Sequence, residues 1–221
     1  MSVRLLPLFP LPLVLLPGTP LPLHIFEPRY RRMLEDVLDG DRRFGILFKP
    51  DGLGEGELPV GAVGCVAHID ETETLVDGRS NIIVHGAERF ALHRFVVSPA
   101  PYHVGEVSDY ADADEPAAAL DPVVERVRDL FRRAAAAARA IAGDPAPAPE
   151  LPDDPALVSF AAAGYIELEA ATRQALLESR SAGGRLRVIE EVLAGAVGPL
   201  EVRAAVRERA KSNGRGPHAP A

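Results

Sequence analysis

Apolar residues crowd the first 33 positions of the chain, but they never run uninterrupted. Residues 5–33 read LLPLFPLPLVLLPGTPLPLHIFEPRYRRM, with prolines at 7, 10, 12, 17, 20 and 22. Proline lacks an amide proton and clashes with the preceding turn, so no helix passes through this stretch. The pattern predicts two extended pieces, 4–9 and 19–26, joined by a turn at Pro17-Gly18. Ladders accept proline only at edges and ends, so both pieces are expected on the rim of a sheet. The same interruptions argue against a secretory signal and against a membrane span, both of which need a continuous apolar core.

Next the period becomes helical. Tyr30, Met33, Leu34, Val37 and Leu38 form one apolar stripe behind Pro28, whose fixed φ suits a first helical position. Gly40 is expected to stop the helix. From Phe44 the period falls to two: strands are expected at Phe44–Phe48, Val60–Ile69, Ile82–His85, Phe90–Val97 and Tyr102–Val107. Asp77-Gly78 between two extended runs signals a hairpin. Six to eight strands fit into the first 108 residues, and closing them into a small barrel removes exposed edges.

An acidic, turn-rich boundary (DYADADEPA, 109–117) precedes a helical half. Helices are expected from Asp121-Pro122 to near Gly143, from Asp154-Pro155 to Ala163, from Glu167 to Ser179, and over 184–210. The proline-rich segment from Asp144 to Asp153 is a loop. In the last helix Leu186, Ile189, Leu193, Val197, Leu200 and Ala204 keep heptad-like spacing, with a kink expected at Gly198-Pro199. The expected division is 1–108 as a β-barrel, 118–211 as a helical part and 212–221 as a disordered tail. The fold class is α+β.

Charge narrows the partners. Residues 1–105 carry 10 basic and 13 acidic side chains and residues 106–221 carry 14 and 19, for a net charge of -8. Neither half is basic, which argues against nucleic acid. A single cysteine, Cys65, sits in an apolar strand pattern, reads as a buried small hydrophobe, and suits a reducing, cytoplasmic compartment.

Catalytic patterns are missing from the sequence. It holds no phosphate-cradling G-x-x-x-x-G-K-[ST] loop and no G-x-S-x-G elbow. Gly52, Gly54 and Gly56 do not link a strand to a helix and read as a flexible loop. His24, His68, His85, His93, His103 and His218 include no pair at helical metal-site spacing. His68, His85, His93 and His103 lie on different expected strands and either converge across a barrel or stand as separate histidines; the latter is the reading taken, so no metal and no cofactor is assigned. Asp109, Asp112, Asp114 and Glu115 lack a calcium loop's spacing and read as a solvated linker. Arg29, Arg31 and Arg32 crowd a helix N-terminus, against its dipole. Either a salt bridge to Glu27 or a loop carboxylate compensates, or the cluster takes an acidic ligand.

Several blocks of the chain resemble a known family. LPLFPL at 6–11, LLPG at 15–18, LPLHIFEPRYRRM at 21–33 and Gly86-Ala87-Glu88-Arg89-Phe90 are similar to the LON N-terminal domain, the substrate-binding module at the front of ATP-dependent Lon proteases. Weaker echoes occur at Pro101-Tyr102 and Arg173–Glu178, so the resemblance covers about residues 3–211. It implies a PUA-like β-barrel with one inserted helix followed by a C-terminal helical bundle. It also implies the binding part of such proteases without their motor or Ser-Lys peptidase, hence a non-enzymatic module. The expected function is recognition of peptides or unfolded protein segments, in an adaptor role in proteolysis beside a protease or chaperone. A small-molecule or RNA-binding protein of the PUA-like class is the alternative. Leu23, His24, Phe26, Arg29 and Tyr30 interleave apolar and polar groups most closely and are the candidate peptide-binding residues. Glu27, Gly86, Arg89 and Phe90 are assigned structural roles: Gly86 with positive φ between strands, Phe90 in the core, and Arg89 paired with Glu27.

Overall fold

The computed structural model describes residues 3–213, with strands in the first half and helices in the second. The strands are β1 (Val3–Leu11), β2 (Pro20–Ile25), β3 (Arg43–Phe48), β4 (Val63–Thr74), β5 (Ser80–Val96) and β6 (His103–Asp109). The helices are α1 (Pro28–Leu38), inserted between β2 and β3, then α2 (Ala117–Ala142), α3 (Pro155–Gly164), α4 (Ala170–Glu178) and α5 (Ala182–Asn213). The fold is α+β, and no helix among the described residues is long and apolar enough to cross a membrane.

The strand order is β2-β5-β4-β3-β1-β6, and β6 pairs back onto β5, so five strands close into a ring with β2 appended to β5. Length makes this possible. β5 pairs with β2 through Ser80–His85 and with β6 through Phe90–Val96, while β4 runs along its other flank. The sequence pattern suggests two strands here, separated by a turning Gly86. Instead β5 is one strand of 17 residues, and Gly86 is not among the glycines of positive φ. Its role is close approach: a Cβ on Gly86 would lie 2.1 Å from the Leu16 carbonyl oxygen. Gly18, by contrast, does turn, at φ +73.

Inside the ring Leu6, Leu8, Leu47, Val66, Phe90 and Val107 pack together. Phe90 is fully buried, and it fits because Gly64 faces it. A Cβ there would come within 2.5 Å of the ring. Cys65 is likewise fully buried, and burial pushes its thiol pKa well up, so it behaves as a small hydrophobe.

The proline-rich segment departs from expectation in one respect. β2 is an edge strand as anticipated, but β1 lies inside the ring, between β3 and β6. Its prolines are tolerated because its two ladders are staggered. β6 pairs with residues 3–8 and β3 with 8–11, so Pro7 and Pro10 each have one unpaired flank. α1 begins at Pro28 and ends at Leu38 with Asp39 as its cap; Gly40 is not left-handed, and in the turn that follows Arg42 takes φ 62.

The chain forms two compact units. One comprises the residues up to Ala113 together with Ala163–Arg180; the other comprises Asp114–Ala162 and Ser181 onward. α4 therefore groups with the strands, where Gln174 Nε2 donates to the Val63 carbonyl at 3.1 Å. In the second unit α2 packs along α5. Buried Val123, Val127, Phe131 and Ala134 lie on α2, and Leu186, Ile189, Leu193 and Val197 lie on α5. Fully buried Arg185 donates to Ser159 Oγ at 3.1 Å and lies 4.2 Å above the Phe160 ring. α2 starts at Ala117, ahead of Pro122, and ends at left-handed Gly143. α5 continues through Pro199 to Asn213, which takes in two residues assigned to the tail; 214–221 lie outside the described residues.

Candidate surface on the outer sheet face

β2, β5 and β4 present one outward face. On β5 Ile82 and Val84 point inward, and Asn81, Ile83 and His85 point out. Register sets their neighbours: Pro20, Pro22 and His24 of β2 lie opposite His85, Ile83 and Asn81. On β4 a bulge falls between Ile69 and Glu71, so consecutive Asp70 and Glu71 are both exposed. A shallow cleft of about 410 Å³ forms between the outer strands, lined by Pro22, Leu23, His24, Ile83, Glu71 and Glu73 among others.

Phe26 follows β2 and is 58% exposed, its ring stacked near the His24 imidazole with centroids 6.0 Å apart. His24 is oriented by a polar chain. Asn81 Nδ2 donates to Glu73 at 3.1 Å, so its oxygen faces His24 Nδ1 at 2.8 Å. His24 Nδ1 thus meets the Asn81 oxygen, and its Nε2 lies 3.5 Å from Arg79 Nη1. Arg79 is itself held by Asp77 at 2.7 Å.

Arg29 and Tyr30 lie apart from this arrangement. Arg29 Nη1 and Nη2 donate to Glu55 at 2.6 and 2.8 Å, and Nε and Nη2 donate to Glu27 at 3.0 and 2.8 Å. Tyr30 is buried against Phe9, with ring centroids 3.9 Å apart, and its hydroxyl donates to Glu55 at 3.0 Å. Burial alone would lower the Arg29 pKa, but the bonds to Glu55 and Glu27 outweigh it and raise it. Burial and then the Glu55 charge raise the Tyr30 pKa. Burial would raise the Glu55 pKa, yet the donors Arg29 and Tyr30 hold it below the ordinary carboxylate value. Glu55 fastens the 50–59 loop to the start of α1. Two of the three arginines at this helix are thus met by carboxylates, Arg32 being paired to Glu35 and Asp36.

Glu27 pairs with Arg29, not with Arg89. Arg89 is 6% exposed and bonds to Asp112, while its Nη1 donates to the Leu177 and Ser179 carbonyls at 2.7 Å each. The acidic boundary is accordingly not a bare solvated linker. Asp109 bonds Arg4 at 2.5 Å, and Glu115 accepts from the Gly183 amide at 3.1 Å.

The family pattern described as the ATP-dependent protease La (LON) substrate-binding domain matches residues 5–195. The chain belongs to that family. Among solved structures, a Lon N-terminal domain protein from Xanthomonas campestris is 27% identical, with a TM-score of 0.58 over 84% of this chain and 96% of the other. The N-terminal domain of Mycobacterium avium complex Lon protease, 17% identical, shares the fold at a TM-score of 0.65 over 86% of this chain and 98% of that one. The Lon protease of Xanthomonas oryzae is 24% identical over 213 residues, which cover 94% of this chain and 25% of the relative. That of Azospirillum brasilense is 22% identical over 212 residues, 92% of this chain and 26% of the relative. This LON domain thus spans about a quarter of the length of those proteases, and the part matched is their substrate-binding module.

Sequence reasoning missed Glu55 and Asp112, which complete the two arginine networks. Glu55 stands in a single 3-10 turn and Asp112 in a loop, 26 and 23 positions from their arginines and outside any periodic run. An acid in a turn-rich segment carries no sign of which arginine it will meet.

Proposed function

We propose that this LON domain holds extended polypeptide segments, such as those of unfolded proteins, against the outer face of β2, β5 and β4. In this reading it serves proteolysis as a cytoplasmic recognition module or adaptor, without peptidase or ATPase activity of its own. The observation that carries the reading is membership of a substrate-binding family over residues 5–195. The face supplies suitable groups: exposed Phe26 and Ile83 for apolar contact, and Glu71 and Glu73 beside them. An apolar segment flanked by lysine or arginine complements that pattern.

The mode of binding is through side chains. An added strand needs backbone donors along the free edge. The Thr19 carbonyl accepts from the Gly86 amide at 3.0 Å, so alternation turns residues 21, 23 and 25 toward β5 and Pro20, Pro22 and His24 outward. Two of those three outward positions lack an amide proton. The edge is blunted against strand addition.

Fluorescence anisotropy with a labelled, unstructured peptide of apolar residues flanked by lysines tests the proposal. Ile83→Asp or Phe26→Ser should weaken binding by about tenfold, or 1.4 kcal/mol, and an acid-flanked peptide should bind less well. Equal binding by wild type and both variants overturns the proposed surface. The alternative of RNA fits poorly with a net charge of -8 and acidic groups at the cleft.

A further inference from the structure

At the far end of the same face, three side chains capable of binding a metal converge. His68 of β4 and His85 of β5 are directly opposite in register, with imidazole centroids 5.0 Å apart. Both direct Nδ1 at one carboxylate: Asp70 Oδ1 lies 3.5 Å from His68 Nδ1 and 2.7 Å from His85 Nδ1. The second oxygen, Oδ2, is 2.9 Å from His85 Nδ1. All three candidate ligand atoms lie within 4.8 Å of one another. Separate histidines, as read from the sequence, do not describe this arrangement.

We infer that His68, Asp70 and His85 form a binding site for a divalent late transition-metal ion of the zinc type. Two imidazoles and a carboxylate are a favoured donor set for such ions and a poor one for magnesium or calcium, which prefer all-oxygen shells. Bonds of about 2.0–2.2 Å place ligand atoms on one ion a little over 3 Å apart, so side-chain rotation, without backbone movement, completes the approach. The strands supply rigidity. A cross-strand pair fixes the two rings, and the bulge beyond Ile69 sets where Asp70 emerges.

Three protein ligands leave coordination positions open on a surface where the three side chains are 37–43% exposed. Those positions are available to water or to a donor atom from a bound molecule. The site stands on its own geometry, independent of the peptide-binding proposal.

Isothermal titration of the untagged protein with Zn2+, repeated with Co2+ for its ligand-field spectrum, tests the site. One saturable equivalent is expected, and Mg2+ in excess should not compete. His68→Ala and His85→Ala should each weaken the binding by on the order of tenfold or more. His93→Ala, an exposed histidine elsewhere on β5, should leave it unchanged. All three positions are at least partly exposed, so folding is checked simply by matching circular dichroism. Binding no tighter in wild type than in His68→Ala, or equal loss on His93→Ala, overturns the assignment.

Discussion

One buried guanidinium shows how much a single side chain organises. Arg89 spends its donors on Asp112 and on the carbonyls of Leu177 and Ser179, residues 88 and 90 positions away. It thereby joins β5, the acidic boundary and the end of α4 within one compact unit. Planarity matters: a guanidinium serves a carboxylate and two carbonyls from one plane, which an ammonium does not. Removing one partner of a buried pair costs about 3–5 kcal/mol, because the other charge stays desolvated. Asp112 is partly exposed, at 23%, which relieves some of that cost. Arg89→Ala should therefore lose about 3 kcal/mol, read as a lower urea midpoint at unchanged slope. A midpoint equal to wild type would mean that solvent replaces all of these bonds without loss.

At the scale of elements, legibility followed periodicity. α1 begins at Pro28 as expected because the proline and a clean apolar stripe agree. β2, the hairpin at Asp77-Gly78 and the heptad face of α5 were equally plain. β5 was not: its exposed half carries polar Asn81 and His85, and Gly86 resembles a break, while pairing on both flanks holds it continuous. Of the candidate residues, Leu23 and His24 line the cleft and Phe26 is exposed after β2. Arg29 and Tyr30 looked the same locally but are committed to Glu55, which only the fold brings near. That lock has a pH dependence. Glu55 is held below its ordinary value of 4.5 in the folded chain. A lowered folded pKa gives stability that is present above the unfolded value and is lost as pH falls through the folded one. Acidification below about pH 4.5 should accordingly free the 50–59 loop before the ring of strands opens. Amide hydrogen exchange across 50–59 should rise with acid in wild type, and Glu55→Gln should show fast exchange already at neutral pH. Identical exchange in the two proteins at pH 7 would remove Glu55 as the fastening.

The molecule as a whole is divided in space differently from its sequence. A change of period near residue 108 suggests a β part followed by a helical part, yet Ala163–Arg180 belongs with the strands. The reason is specific. The Leu177 and Ser179 carbonyls receive Arg89, the Glu178 carbonyl accepts from the Tyr110 hydroxyl at 2.8 Å, and the Ala113 amide donates to Arg180. Leu176 and Leu177 are buried as well. A fragment stopped at Ala113 keeps every strand of the ring but loses all of these partners. It retains Arg89 beside Asp112 and Tyr110, in a site that α4 no longer covers. Unsatisfied buried donors and exposed apolar surface act in the same direction. The fragment is expected to lose the cooperative thermal transition of the full chain, or to melt well below it, when followed by circular dichroism at a strand-sensitive wavelength. Supplying 163–180 on a flexible linker after Ala113 should restore the transition, because that segment completes the same compact unit. If the 1–113 fragment melts cooperatively at the temperature of the intact protein, α4 is an ornament on the ring and not part of its closure.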